Sequence, residues 1–574
     1  MNIKIRSSVV FSIIICIAGC ATVLNKTHQQ DNLTLVRLFP DKDSDKGKFE
    51  AKILASPLLD FSQGKPRAIV PVANGIIALQ DIKTGTITEK IQLPTPEGQR
   101  IQISATPTLV GANLVVIYQC IENGRRVSLN VAAVDLENNK LNDAFPVIEL
   151  NATKPTADGS ATVTFNPVMA YPHSEIKYVP KQDSEWGLIY IALGNAGDTQ
   201  PFHGWVFELD MDAWKRLGTE QAISNVLVTT PESECPVNYE WGTREMVCGG
   251  GVWTPAGPQL DMENDSFELL VPTGNGQIDL ARHDYANTLM RVKQDLQFDP
   301  ECDEQYCANF DPDNPSLACI ESCKNLFIPR LDPKNKPLRP ASGDCDDKSF
   351  WQCLAWMDYD LGANAPVKVK VKNGPSVWVQ PGKEGGVYLI DADHLGKQYD
   401  RMQIVEICGT KTDICKLSWR GMIVTHPVVA YIEEEPVVII PTFVSDDSHA
   451  AGLIALKIVM ENNKPKFQKF WQFPDPTGKQ AMKSFRSHPS LPIITKIGEA
   501  GEVYVWVVDI GKSGTLYGVR VKDGSLAVKT SLIGTGYPLS KPIFFNNSIY
   551  VTSNAPRGIK KAWLEGYRIE VDKN

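Results

Sequence analysis

The sequence lacks the short motifs that mark several common functional classes. Its 13 cysteines include no Cys-x-x-Cys pair and no Cys-x-x-Cys-His, which argues against zinc ribbons, thioredoxin-like redox sites and covalent haem. No Gly-x-Ser-x-Gly occurs, and the 8 histidines show no clustering that would predict a catalytic triad or a zinc site. There is also no basic stripe, and the net charge is -9, so nucleic-acid binding is not expected.

What the chain does contain is typical of a β-rich globular protein. Apolar residues make up 43% and charged residues 22% of the 574 positions, which predicts a packed core and excludes wholesale disorder. Glycine (42) and proline (39) are plentiful, and few long stretches have helical periodicity. This combination favours many short strands joined by turns.

One sequence element recurs along the chain: an Xaa-Pro pair, then apolar residues, then an apolar alternation that ends near an acid and a turn. The prolines of this element are Pro57, Pro107, Pro167, Pro258, Pro366, Pro427, Pro489 and Pro542. About 50 residues per unit suits a four-stranded blade, so eight units predict an all-β, eight-bladed β-propeller over residues 51–574. Two longer gaps predict insertions at 216–250 and 298–357. A pair of stacked β-sandwiches is the alternative.

Residues 1–19 have the form of a signal peptide. A basic start precedes a short apolar run, and the run ends in a tetrapeptide that closes at Cys20 and resembles the bacterial lipoprotein box. The resemblance implies acylation of Cys20, and Ala21 after it implies sorting to the outer membrane, with the protein facing the periplasm. The polar residues 20–50 are predicted to be a flexible tether. An ordinary secretory signal with a chance cysteine is the alternative.

The first blade carries the pattern Gly-x-apolar-x-Ala-apolar-Asp-x-x-Thr-Gly between Gly75 and Gly85. This pattern resembles the quinoprotein propeller family, whose members include methanol, ethanol and polyvinyl-alcohol dehydrogenases that use pyrroloquinoline quinone (PQQ). The resemblance runs from about residue 52 to residue 572. Propeller lipoproteins of outer-membrane barrel assembly share the same repeat without a cofactor, so the fold alone does not assign an activity.

The resemblance implies a cofactor site in two stretches of the chain. In the first, a glycine-rich turn at 249–251 leads to Trp253, which matches the tryptophan beneath the quinone, where a flat indole stacks on a flat ring. Asn275, between two glycines, matches the amide ligand of Ca²⁺. In the second, Lys383 matches the cation that bonds the quinone oxygens and would stabilise charge on the reduced form.

The remaining family positions match less completely. Asp360 matches the family's general base, which accepts the hydroxyl proton of the alcohol, and Asp358 is the reserve candidate. Arg125 is a weak match to an arginine that binds a PQQ carboxylate. Thr199 stands where the family has a glutamate ligand of Ca²⁺, so Asp198 beside it is the candidate replacement ligand. The vicinal cysteine pair of many members is absent.

Each of these residues also has a purely structural interpretation. Trp253 can fill a blade interface, Asn275 can be an ordinary turn amide, and Lys383 can be a solvated hairpin lysine. Asp358 or Asp360 can cap a turn. Their occurrence in the family's order along the chain favours a cofactor site.

Cys16 and Cys20 lie in the signal region, which leaves eleven of the 13 cysteines, an odd number. Cys120 lies in an apolar run and is predicted to be a buried free thiol. The ten disulfide candidates are Cys235, Cys248, Cys302, Cys307, Cys319, Cys323, Cys345, Cys353, Cys408 and Cys415. The six in the insertion 298–357 allow 15 connectivities, with metal ligation as the alternative. This insertion precedes Asp360 directly, so it is expected to be a lid over a substrate funnel or a docking surface for an envelope protein.

The leading functional expectation is a PQQ-dependent dehydrogenase-like lipoprotein that oxidises a small or polymeric alcohol in the periplasm. No haem motif is present, so electrons would pass to an external acceptor. The alternative is a non-catalytic propeller scaffold in an outer-membrane or secretion assembly, which Thr199 favours.

Overall fold

The computed structural model describes most of the chain. The described residues are 32–40, 47–156, 159–181, 184–195, 202–232, 249–263, 266–276, 278–331, 345–405, 423–443, 449–475, 485, 488–498, 501–511 and 513–572. All structural statements below refer to these residues. Cys20, Asp198, Thr199, Cys235, Cys248, Cys408 and Cys415 lie outside them.

The strands form eight antiparallel sheets that repeat radially as the blades of a β-propeller. Blade 1 consists of the strands Leu58–Asp60, Arg67–Val72, Ile76–Asp81 and Ile87–Gln92, and blade 2 of Arg100–Gln102, Thr108–Val110, Asn113–Glu122, Arg125–Asp135, Lys140–Leu141 and Ile148–Glu149. Blade 3 consists of Ala170–Tyr171, Lys177–Val179, Leu188–Asn195, Trp205–Asp210 and Ile223–Val228, and blade 4 of Gln259–Glu263, Ser266–Pro272, Leu289–Lys293 and Leu326–Phe327.

The second half of the ring has the same construction. Blade 5 consists of the strands Val367–Lys370, Ser376–Pro381, Gly386–Asp391 and Gln398–Gln403, and blade 6 of Val428–Ile432, Glu435–Pro441, Leu453–Glu461 and Lys464–Phe473. Blade 7 consists of Ile493–Ile497, Glu502–Asp509, Thr515–Arg520 and Leu526–Ser531, and blade 8 of Ile543–Phe545, Ser548–Asn554, Ala562–Asp572 and Asn32–Phe39. The eight-bladed propeller predicted from the repeats is confirmed.

The ring is closed by its two ends. Asn32–Phe39 pairs antiparallel with Ala562–Asp572, so the N-terminal strand is the outermost strand of blade 8. Lys48–Phe49 also pairs with Ala562–Asp572. These residues belong to the segment predicted to be a flexible tether, so that prediction is wrong for residues 32–39 and 48–49. Their backbone groups are paired in a sheet, which a tether would leave to water.

Burial follows position within a blade. The second strand of blade 1, Arg67–Val72, is buried at every residue, whereas its outer strand Ile87–Gln92 exposes its three central residues. Strands covered on both faces read as continuous apolar runs, and edge strands carry charge. Eight apolar cores fill the eight junctions between neighbouring blades. The blade 4–blade 5 core is the smallest, and a polar cluster lies beside it.

Seven of the eight recurring prolines precede the first strand of their blade, and Pro107 precedes the second strand of blade 2. Six of the eight, for example Pro57 and Pro542, are followed immediately by a strand. Proline lacks the N–H that a ladder needs, so it is tolerated at a strand start. Around the axis, these starts are joined between blades: Lys541 N donates to Ser56 Oγ at 3.0 Å, and Ser56 N to Thr106 Oγ1 at 3.0 Å.

Helices are few and short. The α-helices are Met211–Leu217, Glu304–Cys307, Leu317–Ser322 and Phe350–Trp356, and the 3-10 turns are Thr219–Gln221, Leu280–Arg282 and Leu361–Ala363. Two small hairpins pair Thr153–Pro155 with Thr162–Thr164 and Ile278–Asp279 with Asp284–Tyr285. Within the part of the chain that the structure describes, no helix has the length and apolar character needed to cross a bilayer.

The cysteine-rich insertion packs on the rim of blades 4 and 5. Disulfides join Cys302 to Cys323, Cys307 to Cys319 and Cys345 to Cys353, so the predicted bridging of these six cysteines is confirmed. Cys120 is buried with a free thiol, as expected. The insertion is not wholly separate from the propeller, because Leu326–Phe327 supplies the outermost strand of blade 4.

Candidate functional site

Four predicted site residues, Trp253, Asn275, Asp360 and Lys383, meet at the junction of blades 4 and 5. Trp253 precedes the first strand of blade 4, and Asn275 follows its second strand. Asp360 precedes the first strand of blade 5, and Lys383 lies in the turn between its second and third strands. The segment that leads into the first strand and the turn that follows the second strand lie at the same face of an antiparallel blade. The fold therefore brings the four residues together.

The position of Trp253 depends on glycines around it. A Cβ on Gly194 would lie 2.4 Å from Trp253 Cβ, so only glycine lets the indole approach blade 3. Val252 N donates to Leu193 O at 3.1 Å, and Gly250 N donates to Asn275 O at 2.8 Å. The glycine-rich run therefore passes between blades 3 and 4 and fixes the start of the tryptophan side chain.

Asn275 is 3% exposed, and its backbone packs closely against the glycine-rich run that precedes Trp253. A Cβ on Gly249 would lie 2.2 Å from the carbonyl oxygen of Asn275. Gly274 N donates to Gly251 O at 2.8 Å, which ties the two glycine-rich turns together. The backbone N–H of Asn275 donates to Oδ1 of Asp360.

Asp360 is the centre of this cluster and is 2% exposed. Its Oδ2 accepts from Trp253 Nε1 at 3.2 Å and from Lys383 Nζ at 3.4 Å. The next turn is held close, because Gly362 N donates to Thr273 O at 2.8 Å. Asp360 thus links blade 5 to both glycine-rich turns of blade 4, and both of its oxygens accept hydrogen bonds.

Lys383 pairs with two carboxylates. Its Nζ lies 2.9 Å from Asp358 Oδ2 and 3.4 Å from Asp360 Oδ2, and it stands 5.7 Å from the centroid of the Trp253 ring. Two carboxylates against one ammonium leave one formal negative charge in a largely buried cluster. The side chain of Asp358 is 18% exposed and that of Asp360 only 3%, so Asp358 is the more accessible acid.

Asp358 owes its unusual backbone to the helix before it. The helix Phe350–Trp356 begins with a capping box formed by Ser349 and Gln352 and ends at Met357. Asp358 then adopts φ 56°, and Tyr359 N donates back to Leu354 O at 2.9 Å. This is the left-handed C-terminal motif that normally favours glycine. The end of the cysteine-rich insertion therefore sets the direction of Asp358.

The hairpin that carries Lys383 contains an ion pair that the sequence analysis missed. Glu384 and Arg401 are both almost fully buried, with Arg401 Nη2 3.3 Å from Glu384 Oε1, which also accepts from Tyr388 OH at 2.5 Å. Burial raises the pKa of Glu384, although Arg401 opposes the shift. The feature of the sequence that could have indicated this pair is Glu384, a single acid between Lys383 and two glycines.

Arg125 does not reach the cluster. It is exposed in the tight turn between two strands of blade 2, where it pairs with Glu122 across the hairpin. Arg126 points inward instead: its guanidinium carbon lies 5.1 Å from the ring centroid of Tyr171, and its Nη2 donates to Val168 O at 2.7 Å. Tyr171 pairs with Gly194, the residue on which Trp253 packs. Arg126 therefore contacts the strand of blade 3 that pairs with Gly194, whereas Arg125 does not.

The donor set suits the groups that the resemblance implies. The carboxylates of Asp358 and Asp360 and the amide of Asn275 carry oxygen atoms of the kind that hard Ca²⁺ prefers. The indole of Trp253 offers a flat face, and Lys383 stands over it as a cation. The Asp198 position, the other candidate ligand, lies outside the described residues.

Comparison with solved structures shows the fold. The chain is similar to the quinohemoprotein alcohol dehydrogenase ADHIIG of Pseudomonas putida HK5, with a TM-score of 0.51 and 12% identity over 93% of this chain and 76% of that one. It is also similar to the quinohemoprotein alcohol dehydrogenase of Comamonas testosteroni (TM-score 0.47, 11% identity, 92% and 77%) and to BamB of Moraxella catarrhalis (TM-score 0.41, 10%, 93% and 100%). No family model and no curated protein matches the sequence. The chain thus shares its propeller fold with the first of these proteins, and a shared fold does not by itself assign an activity.

Proposed function

We propose that this protein is a PQQ- and Ca²⁺-dependent dehydrogenase-like lipoprotein that oxidises an alcohol in the periplasm. The observation that carries the proposal is the convergence of Trp253, Asn275, Asp360 and Lys383, residues separated by up to 130 positions (383 minus 253), on one blade junction. A purely structural set would not need the flat indole, the amide and the cation in the family's order. The three disulfides support an oxidising compartment.

Each side chain has a distinct task in this proposal. Trp253 supports the flat cofactor from below, while Lys383 stabilises negative charge that develops on its oxygens. Asn275 and Asp360 would hold the cation, and Arg126 replaces Arg125 as the arginine near the cofactor. The chemistry that PQQ would supply when bound is acceptance of a hydride from the alcohol carbon, which carries the two electrons of the oxidation.

The geometry favours Asp358 over Asp360 as the proton acceptor. Asp360 already accepts bonds from the indole of Trp253, from the backbone of Asn275 and from Lys383, and bonds to a carboxylate reduce its basicity. Asp358 also pairs with Lys383, at 2.9 Å, but its side chain is 18% exposed and is the more accessible of the two acids. In this arrangement Asp358 takes the hydroxyl proton, Asp360 orients the indole and the amide, and the product is the aldehyde or ketone. The acceptor of the electrons is an external protein or dye.

The test is reconstitution of the purified full-length protein with PQQ and Ca²⁺. We expect saturable quenching of tryptophan fluorescence, reduced in Trp253→Phe but not in Trp186→Phe, and dye reduction with primary or secondary alcohols that requires both additions. No quenching at saturating PQQ would contradict cofactor binding. Quenching without dye reduction would contradict only the alcohol dehydrogenase activity.

A non-catalytic scaffold in an outer-membrane or secretion assembly is the second candidate. The observation that favours it is that Trp253, Asp360 and Lys383 already bond one another, as a network that only joined two blades would. Under this candidate PQQ does not bind, and the exposed rim of the insertion contacts an envelope protein. Crosslinking in intact cells, with a photoreactive residue at Tyr306 and a control at Tyr431, both about half exposed, distinguishes the two.

Anchoring by an acylated Cys20 at the outer membrane is part of the same proposal. The sequence pattern supports it, and the N-terminal strand at Asn32–Phe39 leaves about a dozen residues as a link between anchor and propeller. Mass analysis of the N-terminal peptide, with Cys20→Ser as control, measures the lipid directly. An unmodified Cys20 in membrane fractions would contradict it.

A further inference from the structure

Four charged or titratable side chains from three non-neighbouring blades meet at the centre of the ring. Glu175 and Lys177 belong to blade 3, His426 precedes the first strand of blade 6, and Lys541 precedes that of blade 8. Lys541 Nζ lies 3.1 Å and 3.2 Å from the two oxygens of Glu175, and Lys177 Nζ lies 3.6 Å from Oε2. Blades this far apart in a ring of eight can meet only at the axis, so the group lies in the central channel.

The channel group is held by the backbone around it. Glu175 N donates to Pro255 O at 3.0 Å, and Lys541 N donates to Ser56 Oγ at 3.0 Å. A Cβ on Gly257 would lie 3.1 Å from Lys177 Cε, so a glycine in blade 4 leaves the room that the lysine side chain occupies. The group is therefore built by four blades and is not a chance meeting of surface chains.

The charges in this group do not balance. Two ammonium groups share one carboxylate, which leaves one formal positive charge. The side chains of Lys177, Glu175 and Lys541 remain 18%, 20% and 34% exposed, so a solvent-filled space adjoins them inside the channel. Burial lowers the pKa of Lys177, and burial lowers the pKa of His426 to about 3 with Lys177 and Lys541 acting in the same direction. His426 is therefore neutral at physiological pH and adds no charge.

The imidazole of His426 supplies an independent indication of a ligand. Its Nδ1 is buried and makes no hydrogen bond of good geometry among the described residues, although the backbone of Ala365 lies close enough to raise the pKa of the imidazole. A buried polar atom of this kind normally bonds a protein group, a water molecule or a ligand. Lys177 and Lys541 both lower the pKa of His426, so the imidazole faces the same part of the channel as the two lysines.

We infer that the central channel binds a small oxyanion, such as a carboxylate or inorganic phosphate, between Lys177 and Lys541. The ammonium groups donate charge-assisted bonds to its oxygens, and the imidazole of His426 donates a further bond. Glu175 limits the net charge and orients both lysines. None of these four side chains belongs to the blade 4–blade 5 cluster, although Gly257, which lies against Lys177, follows Trp253 by only four positions. The inference does not depend on PQQ binding.

The test uses the full-length protein without PQQ, at constant ionic strength in a chloride buffer. Phosphate, sulfate and acetate are titrated separately by calorimetry and by thermal unfolding. We expect saturable binding of at least one oxyanion, weakened about tenfold or more in Lys177→Gln and in Lys541→Gln, because each loses a charge-assisted bond. Lys541→Arg should retain binding. Lys181→Gln, which removes a lysine paired at the surface with Asp210, is the matched control and should leave affinity unchanged.

Two further variants keep the result decisive if a lysine variant does not fold. Glu175→Gln removes the competing carboxylate and should tighten binding, whereas a purely structural ion group predicts lower stability with no tighter binding. His426→Phe removes the imidazole bond and should weaken binding while the charge is unchanged. A higher affinity for phosphate than for acetate would identify a tetrahedral oxyanion as the ligand. A higher affinity for acetate would identify a carboxylate. The absence of saturable binding by any of the three anions, or equal affinity in the control and lysine variants, would overturn the inference.

Discussion

The indole Nε1 of Trp253 donates to Oδ2 of Asp360 at 3.2 Å, and this bond joins blade 4 to blade 5 across 107 positions of the chain. The same carboxylate accepts from the backbone of Asn275 and from Lys383. A change at Asp360 should therefore disturb the indole, the amide and the lysine together, whereas a change at Asp358 should leave that network intact.

The two aspartates should separate by their effects. Asp358→Asn is expected to lower the turnover of the reconstituted protein by about 10²- to 10⁴-fold with PQQ affinity retained, because it removes the proton acceptor. Asp360→Asn is expected to lower PQQ affinity and to cost about 1–3 kcal/mol of unfolding free energy, because an amide cannot accept all three bonds. Steady-state dye reduction and urea unfolding measure these effects. Asp393→Asn, at an exposed position, is the control. Full turnover in Asp358→Asn would exclude it as the base.

Trp253 should act through both its ring face and its N–H. Trp253→Phe keeps a ring but removes the bond to Asp360, so we expect a moderate loss of PQQ affinity. Trp253→Ala removes the stacking face as well, and an affinity about tenfold or more below that of the phenylalanine variant is expected. Fluorescence titration gives both values. Equal affinities for the two variants would show that the ring face does not contact the cofactor.

The Glu384–Arg401 pair should be more sensitive to loss of the arginine than to loss of the acid. Burial raises the pKa of Glu384, so Glu384→Gln replaces an acid that burial already disfavours as an anion. Arg401→Met leaves that carboxylate buried without its cation, a change that typically costs about 3–5 kcal/mol. Urea unfolding of the two single variants and the double variant measures the difference. A larger loss in Glu384→Gln than in Arg401→Met would reverse this assignment.

Stability should fall in mild acid because two histidines are buried in the neutral form. Burial lowers the pKa of His173 to about 3, with Arg126 acting in the same direction, and His426 behaves alike. Free histidine has a pKa of 6.5, so between 6.5 and about 3 the unfolded chain binds protons that the folded protein does not. Each histidine then contributes a loss of at most about 1.4 kcal/mol per pH unit in that window.

Unfolding free energies at pH 7, 6, 5 and 4 check this dependence. His173→Gln and His426→Gln should each flatten the curve below pH 6.5 and have no effect on its shape above it. His394→Gln changes a histidine outside the two buried positions and serves as the control. A slope that none of the variants alters would assign acid sensitivity to carboxylates instead.

The cysteines of the insertion should resist thiol labelling while Cys120 reacts after unfolding. Peptide mapping of unreduced, denatured protein is expected to find Cys120 alkylated and the peptides of Cys302 and Cys323 joined. Cys120→Ser should leave stability nearly unchanged, since its thiol accepts only a weak bond from Asn130. Alkylated Cys302 or Cys323 would contradict the bridge.

The sequence alone determined the propeller and the order of its site residues. The prolines recur because every blade begins with a strand start that needs no N–H donor, so the repeat is visible without coordinates. Trp253, Asn275 and Lys383 stand out because each follows or lies within a glycine-rich turn, and Asp360 lies two residues before Gly362. The free Cys120 could be predicted because it lies in a continuous apolar strand.

Only the tertiary structure decided what depends on contacts between distant segments. Residues 32–39 look like a polar tether, and they become a strand because Ala562–Asp572 offers an open edge more than 500 positions away. Arg125 and Arg126 are equivalent in sequence, but strand alternation turns Arg126 toward Tyr171. Likewise Glu175, Lys177, His426 and Lys541 carry no common motif. Their meeting follows from ring closure, which places the starts of non-neighbouring blades on one axis.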